Sequence, residues 1–139
     1  MNTYVLLIRG INVGGKNIVP MAGLRQSLEE QGFADVSTYI ASGNVILKSD
    51  KSAGEVKDRV EKLLPENFNL DDGFVKVLVL SHPQLQAVVD NKPGGFGEQP
   101  DEYHSDVIFL MDIDVIETLA VFHPREGVDT VWPGDGVIY

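Results

Sequence analysis

The order of its segments predicts an α+β fold for this chain. Two observations carry that reading. Short apolar runs alternate with amphipathic stretches that open on capping signals, and the succession strand, helix, hairpin occurs twice, in 1–50 and again in 105–139. The length of 139 residues suits one ordinary domain or two small halves sharing a core. Hydrophobic residues make up 43% and charged residues 23%, the balance of a globular chain rather than a disordered one.

Each element has its own signal. Tyr4 to Ile8 is an apolar run without alternation, the pattern of a central strand buried on both faces. A loop rich in Gly and Asn follows from Gly10 to Val19. Pro20 suits the first position of a helix that carries Met21, Leu24 and Leu28 on one face, and Gly32 closes it. Val36–Ala41 and Asn44–Ser49 read as two strands around the turn Ser42-Gly43. Ser52 and Glu55 form a capping box for a helix with Val56, Val60, Leu63 and Leu64 inward, ended by Pro65. Phe74–Leu80 is the fourth strand. This βαββαβ order is that of the ferredoxin-like split βαβ unit, which the sequence predicts over 1–80.

Residues 81–139 begin the pattern again. Ser81 and Gln84 cap a linking helix with Leu85, Val88 and Val89 inward. The loop 91–97 and a polar stretch to Ser105 lead to a buried-looking strand, Val107–Met111. Asp114 and Glu117 cap a helix bearing Val115, Ile116 and Leu119, and Thr130–Trp132 and Val137–Tyr139 flank the turn 133–136. The second copy lacks a closing helix, so it reads as an incomplete βαββ half that leaves Val137, Ile138 and Tyr139 on a strand with unpaired backbone groups.

The segments Leu7-Ile8-Arg9-Gly10-Ile11-Asn12-Val13-Gly14-Gly15-Lys16-Asn17 and Thr38-Tyr39-Ile40-Ala41-Ser42-Gly43-Asn44-Val45 together resemble the N-terminal signature of the bacterial domain of unknown function 1697 family. Val19-Pro20-Met21, Leu24, Leu28 and Gly32-Phe33 stand where that family places its first helix. Two departures accompany the resemblance: Ala41 where members often carry Gln, and an end at Tyr139 where members continue into a more basic segment with a Thr-Arg-Asn type motif. The resemblance implies a bacterial protein with the fold above, truncated at the C-terminus, and implies no reaction.

Composition excludes several functions. Without cysteine there is no disulfide scaffold, thiolate ligand or cysteine nucleophile. The net charge of −10 argues against nucleic acid as a partner, and the two central strands carry aliphatic side chains, Tyr4 apart, where RNA-recognition motifs display aromatics. No apolar run spans a membrane, and the N-terminus lacks a basic n-region, so a cytoplasmic location is expected. The charge is uneven: residues 1–50 hold four basic and four acidic groups, and residues 51–139 hold seven and seventeen. An anion would therefore meet the first third of the chain.

The run 10–17 has the spacing GxxxxGK, but Asn17 replaces the magnesium-binding hydroxyl and Pro20 displaces the helix start from Lys16, so a nucleotide-hydrolysing P-loop is rejected. A milder reading places Arg9, Asn12, Gly14, Gly15, Lys16 and Asn17 at one sheet edge with Ser42, Gly43 and Asn44, where backbone amides, Asn amides and Lys16 would suit a small anion or a nucleotide-like ligand. The competing reading assigns the glycines to turns, the Asn side chains to loop backbone, and Arg9 to a carboxylate pair. His82, His104 and His123 read as separate solvated residues, no metal site or cofactor is expected, and Asp112 and Asp114 lack the rest of a calcium loop. Trp132 and Phe96 are the aromatics of interest, with Trp132 read as core. The alternatives to ligand binding are a protein-interaction or homodimerisation module, and an enzyme completed by the missing C-terminal segment.

Overall fold

The computed structural model describes residues 1–70, 75–111 and 113–139. The chain divides into two compact units, Met1–Leu85 and Gln86–Tyr139.

The first unit is a four-stranded antiparallel sheet with two helices on one face. Its strands are β1 (Asn2–Arg9), β2 (Ala34–Tyr39), β3 (Asn44–Ser49) and β4 (Lys76–Ser81), in the order β2-β3-β1-β4. Its helices are α1 (Met21–Glu30) and α2 (Ala53–Asn67). Along β1, Tyr4, Leu6 and Ile8 are buried against Leu24 and Leu28 of α1 and Val56, Val60, Leu63 and Leu64 of α2. The alternate residues Val5 and Leu7 are half-buried. The apolar run therefore does alternate, against expectation: one face meets the helices, and the residues of the other face keep part of their surface in contact with solvent.

Local chemistry sets the helix ends. Pro20 is extended at φ −63°, ψ 131° and occupies the cap of α1, one residue before the first helical position expected for it. Gly32 at φ +91° ends that helix; its N–H donates to Glu29 C=O at 3.0 Å and the Phe33 N–H to Leu28 C=O at 3.2 Å, the paired bonds of a Schellman motif. Ser52 caps α2 through the Glu55 N–H at 3.3 Å. Pro65 does not stop that helix. It lies within the last turn, where it forfeits one backbone bond, while Leu63 and Leu64 are buried and hold the turn in place.

The β2–β3 connection is wider than the expected two-residue turn. Asp35 at φ +48° shifts the register near the start of β2, and Ile40 at φ +50° ends it at Tyr39, so residues 40–43 make the turn. The expected start of the fourth strand, Phe74, lies outside the described residues, and β4 runs from Lys76.

Helix α3 (His82–Asp90) leads from the first unit into the second, opened by a reciprocal capping box: Ser81 N–H donates to Gln84 Oε1 at 2.8 Å and Gln84 N–H to Ser81 Oγ at 3.3 Å. None of its residues is buried, and Val89, expected inward, is exposed.

The second unit holds β5 (Ile108–Phe109), α4 (Val115–Leu119) and β6 (Val137–Ile138). Strand β5 is shorter than the expected Val107–Met111, with Ile108 exposed, and Ile116 of α4 also faces solvent. Strand β6 pairs with β5 on one side. On the other, Trp132 and Tyr139 exchange both backbone bonds at 3.1 and 2.9 Å, and the Gly134 N–H donates to Val137 C=O. The expectation of unpaired backbone at Val137–Tyr139 is thus overturned: the segment has partners on both edges and its side chains are buried. Gly134 is sterically required there, because a Cβ would stand 2.6 Å from Tyr139 Cε2 and 2.8 Å from Val137 Cγ2.

Three substitutions test the turn geometry by urea denaturation. A Cβ at Gly43 would meet Ile8 O at 2.9 Å, at a φ of +100°, so Gly43→Ala should lose about 3 kcal/mol. Gly14 shares the positive φ but has open space around it, so Gly14→Ala should lose only about 1 kcal/mol. Ile40 is exposed and β-branched in the left-handed region, so Ile40→Asn should gain about 1 kcal/mol. Equal losses at the two glycines, or a loss at Ile40, would contradict this account.

Candidate functional site

The connection from β1 to α1 runs over residues 10–20, long for a strand-to-helix link, and part of it is buried: Ile11 and Val19 are 1% exposed and Asn17 3%. Buried backbone needs hydrogen-bond partners. Asn12 supplies several of them. Its Oδ1 accepts from the Val19 N–H at 2.7 Å, and its Nδ2 donates to Val19 C=O at 2.9 Å and to Ala41 C=O at 2.6 Å. Asn17 Nδ2 donates to Gly10 C=O at 2.9 Å. The Asn12 N–H donates to Asn17 C=O and the Lys16 N–H to Val13 C=O, each at 3.1 Å, with Gly14 and Gly15 both at positive φ. The segment 12–17 is thus a miniature hairpin closed by a turn of the I′ pattern, not a phosphate loop feeding a helix.

The two expected segments meet. Asn12 reaches Ala41, the Ile8 N–H donates to Gly43 C=O at 2.9 Å, and Ile8 and Ile11 close over Gly43. Asn44 Nδ2 donates to Tyr39 C=O and to Ser42 Oγ, both at 3.1 Å, tying the turn to itself. Asn12, Gly43 and Asn44 therefore brace the edge, and Asn17 joins them through Gly10. Gly14, Gly15, Lys16 and Ser42 are exposed upon it.

Arg9 does not make the expected carboxylate pair among the described residues. It is exposed at the end of β1, directly opposite Lys76, the first residue of β4. Directly opposed residues share a face, so two like charges stand side by side there, one residue before the loop that carries Lys16. Glu61 of α2 accepts from the neighbouring Val77 N–H at 3.1 Å and forms no ion pair with Lys76. Lys76 was not among the residues singled out from sequence; its signal was a basic residue at the start of the strand that must run antiparallel to Arg9.

A concavity lies wholly within Gln86–Tyr139. It encloses about 470 Å³, and its wall includes Phe96, His104, Asp106, His123, Trp132 and Tyr139. Phe96 packs edge-on against Trp132, centroids 6.3 Å apart, and against Tyr139 at 5.3 Å. Tyr139 is anchored by its hydroxyl, which donates to Val88 C=O at 2.6 Å. Trp132, expected in the core, is half-buried in this wall, and His104 and His123, read as separate, face one cleft. Their separation of nineteen residues gives no sign in the sequence of this shared cleft. Among the described residues no three His, Asp or Glu side chains are placed to hold a metal ion. Of the calcium-loop pair, Asp112 lies outside the described residues. Asp129 also lines the cleft, and its carboxyl is held below the usual carboxylate range by hydrogen bonds from the Arg125 side chain and backbone N–H. No described helix is long and apolar enough to cross a membrane.

Among solved structures, the chain is similar to the conserved bacterial protein SP0830 from Streptococcus pneumoniae, with 29% identity and a TM-score of 0.79 over 99% of this chain and 75% of that one. No curated protein matches the chain. The family described as protein of unknown function (DUF1697) matches residues 1–139 throughout, and the chain belongs to that family.

Proposed function

We propose that this protein is a small-anion-binding domain in which an oxyanion, a phosphate or the phosphate of a nucleotide-like ligand, is held at one sheet end by Arg9, Lys16 and Lys76, with the Ser42 hydroxyl beside them. The register that sets Arg9 against Lys76 carries the proposal. Opposed cations repel, and an anion between them turns that repulsion into two charge-assisted bonds. The proposal keeps Arg9, Lys16 and Ser42 of the residues named from sequence, adds Lys76, and gives Asn12, Asn17, Gly43 and Asn44 the task of holding the edge rigid. Gly14 and Gly15 present Lys16 on their turn. Such preorganisation favours binding because little ordering is left to do.

The same proposal takes Met1–Leu85 as a ferredoxin-like split βαβ unit, supported by the sheet order β2-β3-β1-β4 and both helices on one face. It takes the remainder as the opening of a second such unit, in which residues 130–134, β6 and β5 repeat the order of β2, β3 and β1. A second reading, a protein contact, is favoured by Val13 and Ile18 of the β1–α1 connection, Tyr39 at the end of β2 and Ile40 of the turn after it, all more than half exposed.

Calorimetric titration with phosphate and pyrophosphate tests the site. Arg9→Ala, Lys16→Ala and Lys76→Ala should each weaken binding by about 1.5–3 kcal/mol. Without ligand, Lys76→Thr should raise stability by about 0.2–1 kcal/mol as the repulsion is lifted. Asn12→Ala should cost about 2 kcal/mol of stability, whereas Lys16→Ala should leave stability within about 0.5 kcal/mol. No binding at millimolar anion, with Tyr39→Ser dissolving a self-associated species instead, would move the assignment to the protein-contact reading.

A further inference from the structure

The cleft of the second unit differs in kind from the basic sheet end. Residues 86–139 carry eleven carboxylates against two basic side chains, Lys92 and Arg125, while the first unit is close to neutral. Neither basic side chain lines the cleft, whereas Glu98, Asp106 and Asp129 do. Arg125 binds Asp129 at 3.0 Å and offsets that one charge, but Glu98 and Asp106 make no ion pair among the described residues. The wall also carries the edge-on trio Phe96, Trp132 and Tyr139. A volume of about 470 Å³ is the size of a small-molecule site rather than a packing defect.

We propose that this cleft binds an organic cation, an ammonium or guanidinium group carried on an apolar frame. Aromatic faces attract cations through their quadrupoles, and this attraction grows where water is displaced. The unpaired carboxylates supply the counter-charge, and the imidazoles of His104 and His123 offer nitrogens able to accept from an N–H donor. An anion of similar shape would meet carboxylates on the wall and an excess of negative charge across the unit, so charge selects against it. This inference is independent of the anion site, since the two share no residue.

Trp132 is the chain's single tryptophan, so its fluorescence reports on the cleft directly. The probes are benzyltrimethylammonium, its anionic counterpart phenylacetate and the neutral benzyl alcohol. Benzyltrimethylammonium should change the emission saturably in the submillimolar range, and roughly tenfold more weakly when the cation is replaced by the neutral alcohol. Phenylacetate should give no saturation. The double variant Glu98→Gln, Asp106→Asn should bind the cation roughly fivefold more weakly with an unchanged far-ultraviolet spectrum. Equal responses to cation and anion in the parent protein, no saturation by the cation at millimolar concentration, or a folded double variant with parental affinity would each overturn the proposal. The comparison of probes on the parent protein decides the matter even if the double variant does not fold.

Discussion

A long connection that dips into the core must satisfy its own backbone, and in the first unit this falls largely to one carboxamide. Asn12 accepts from the Val19 N–H, returns a bond to the Val19 carbonyl and reaches across to Ala41 on the β2–β3 turn. These bonds let Ile11 and Val19 be buried without stranding polar groups. They also press the loop against Gly43, where Ile8 and Ile11 leave no room for a Cβ. With that turn held, the Ile8–Gly43 bond extends the β1–β3 ladder and Arg9 leaves the sheet at a defined point beside Lys76. The loop's length is thus taken up by hydrogen-bonded structure rather than by slack chain. Its flexible-looking composition of Gly and Asn is what allows so many left-handed residues in so short a stretch.

The two units spend their apolar residues differently. In the first, mostly aliphatic side chains from four strands, two helices and the loop before α1 form one buried cluster, with no charged member among the described residues. In the second, among the described residues only Val137, Ile138 and Tyr139 are buried, and order comes from aromatic edge contacts, the Tyr139 hydroxyl and a short ladder to residues 132–134. That unit is thus organised by rings around an open cleft, with a large excess of carboxylates. The first unit carries its exposed cations Arg9, Lys16 and Lys76 at and beside a sheet end instead.

Much of this was legible in the sequence where the signal is local. The three capping boxes and caps at Ser52, Ser81 and Asp114 are all in place, and Gly32 ends its helix as a left-handed glycine must. Belonging to the DUF1697 family was readable from the loop and turn segments alone. What escaped was non-local. The pairing of Arg9 opposite Lys76 depends on register across more than sixty residues, and the place of His104 and His123 in one cleft wall depends on how distant loop segments run. Burial on one side of β1 could not be told from burial on both, because Val5 and Leu7 are as apolar as the residues facing the helices. Ile40 misled for a different reason: a β-branched residue in the left-handed region contradicts its own propensity, and only the surrounding turn imposes it.

Amide hydrogen exchange, resolved by residue, tests the braced loop most directly. If Asn12 and its partners hold the connection as described, the N–H groups of Ile8, Asn12 and Val19 exchange as slowly as those in the centre of β1, while the exposed turn at Gly14 and Gly15 exchanges quickly. Uniformly fast exchange from Gly10 to Val19, with protection confined to β1, would contradict it: the loop would then be a mobile link, and the sheet end it supports would not be preorganised.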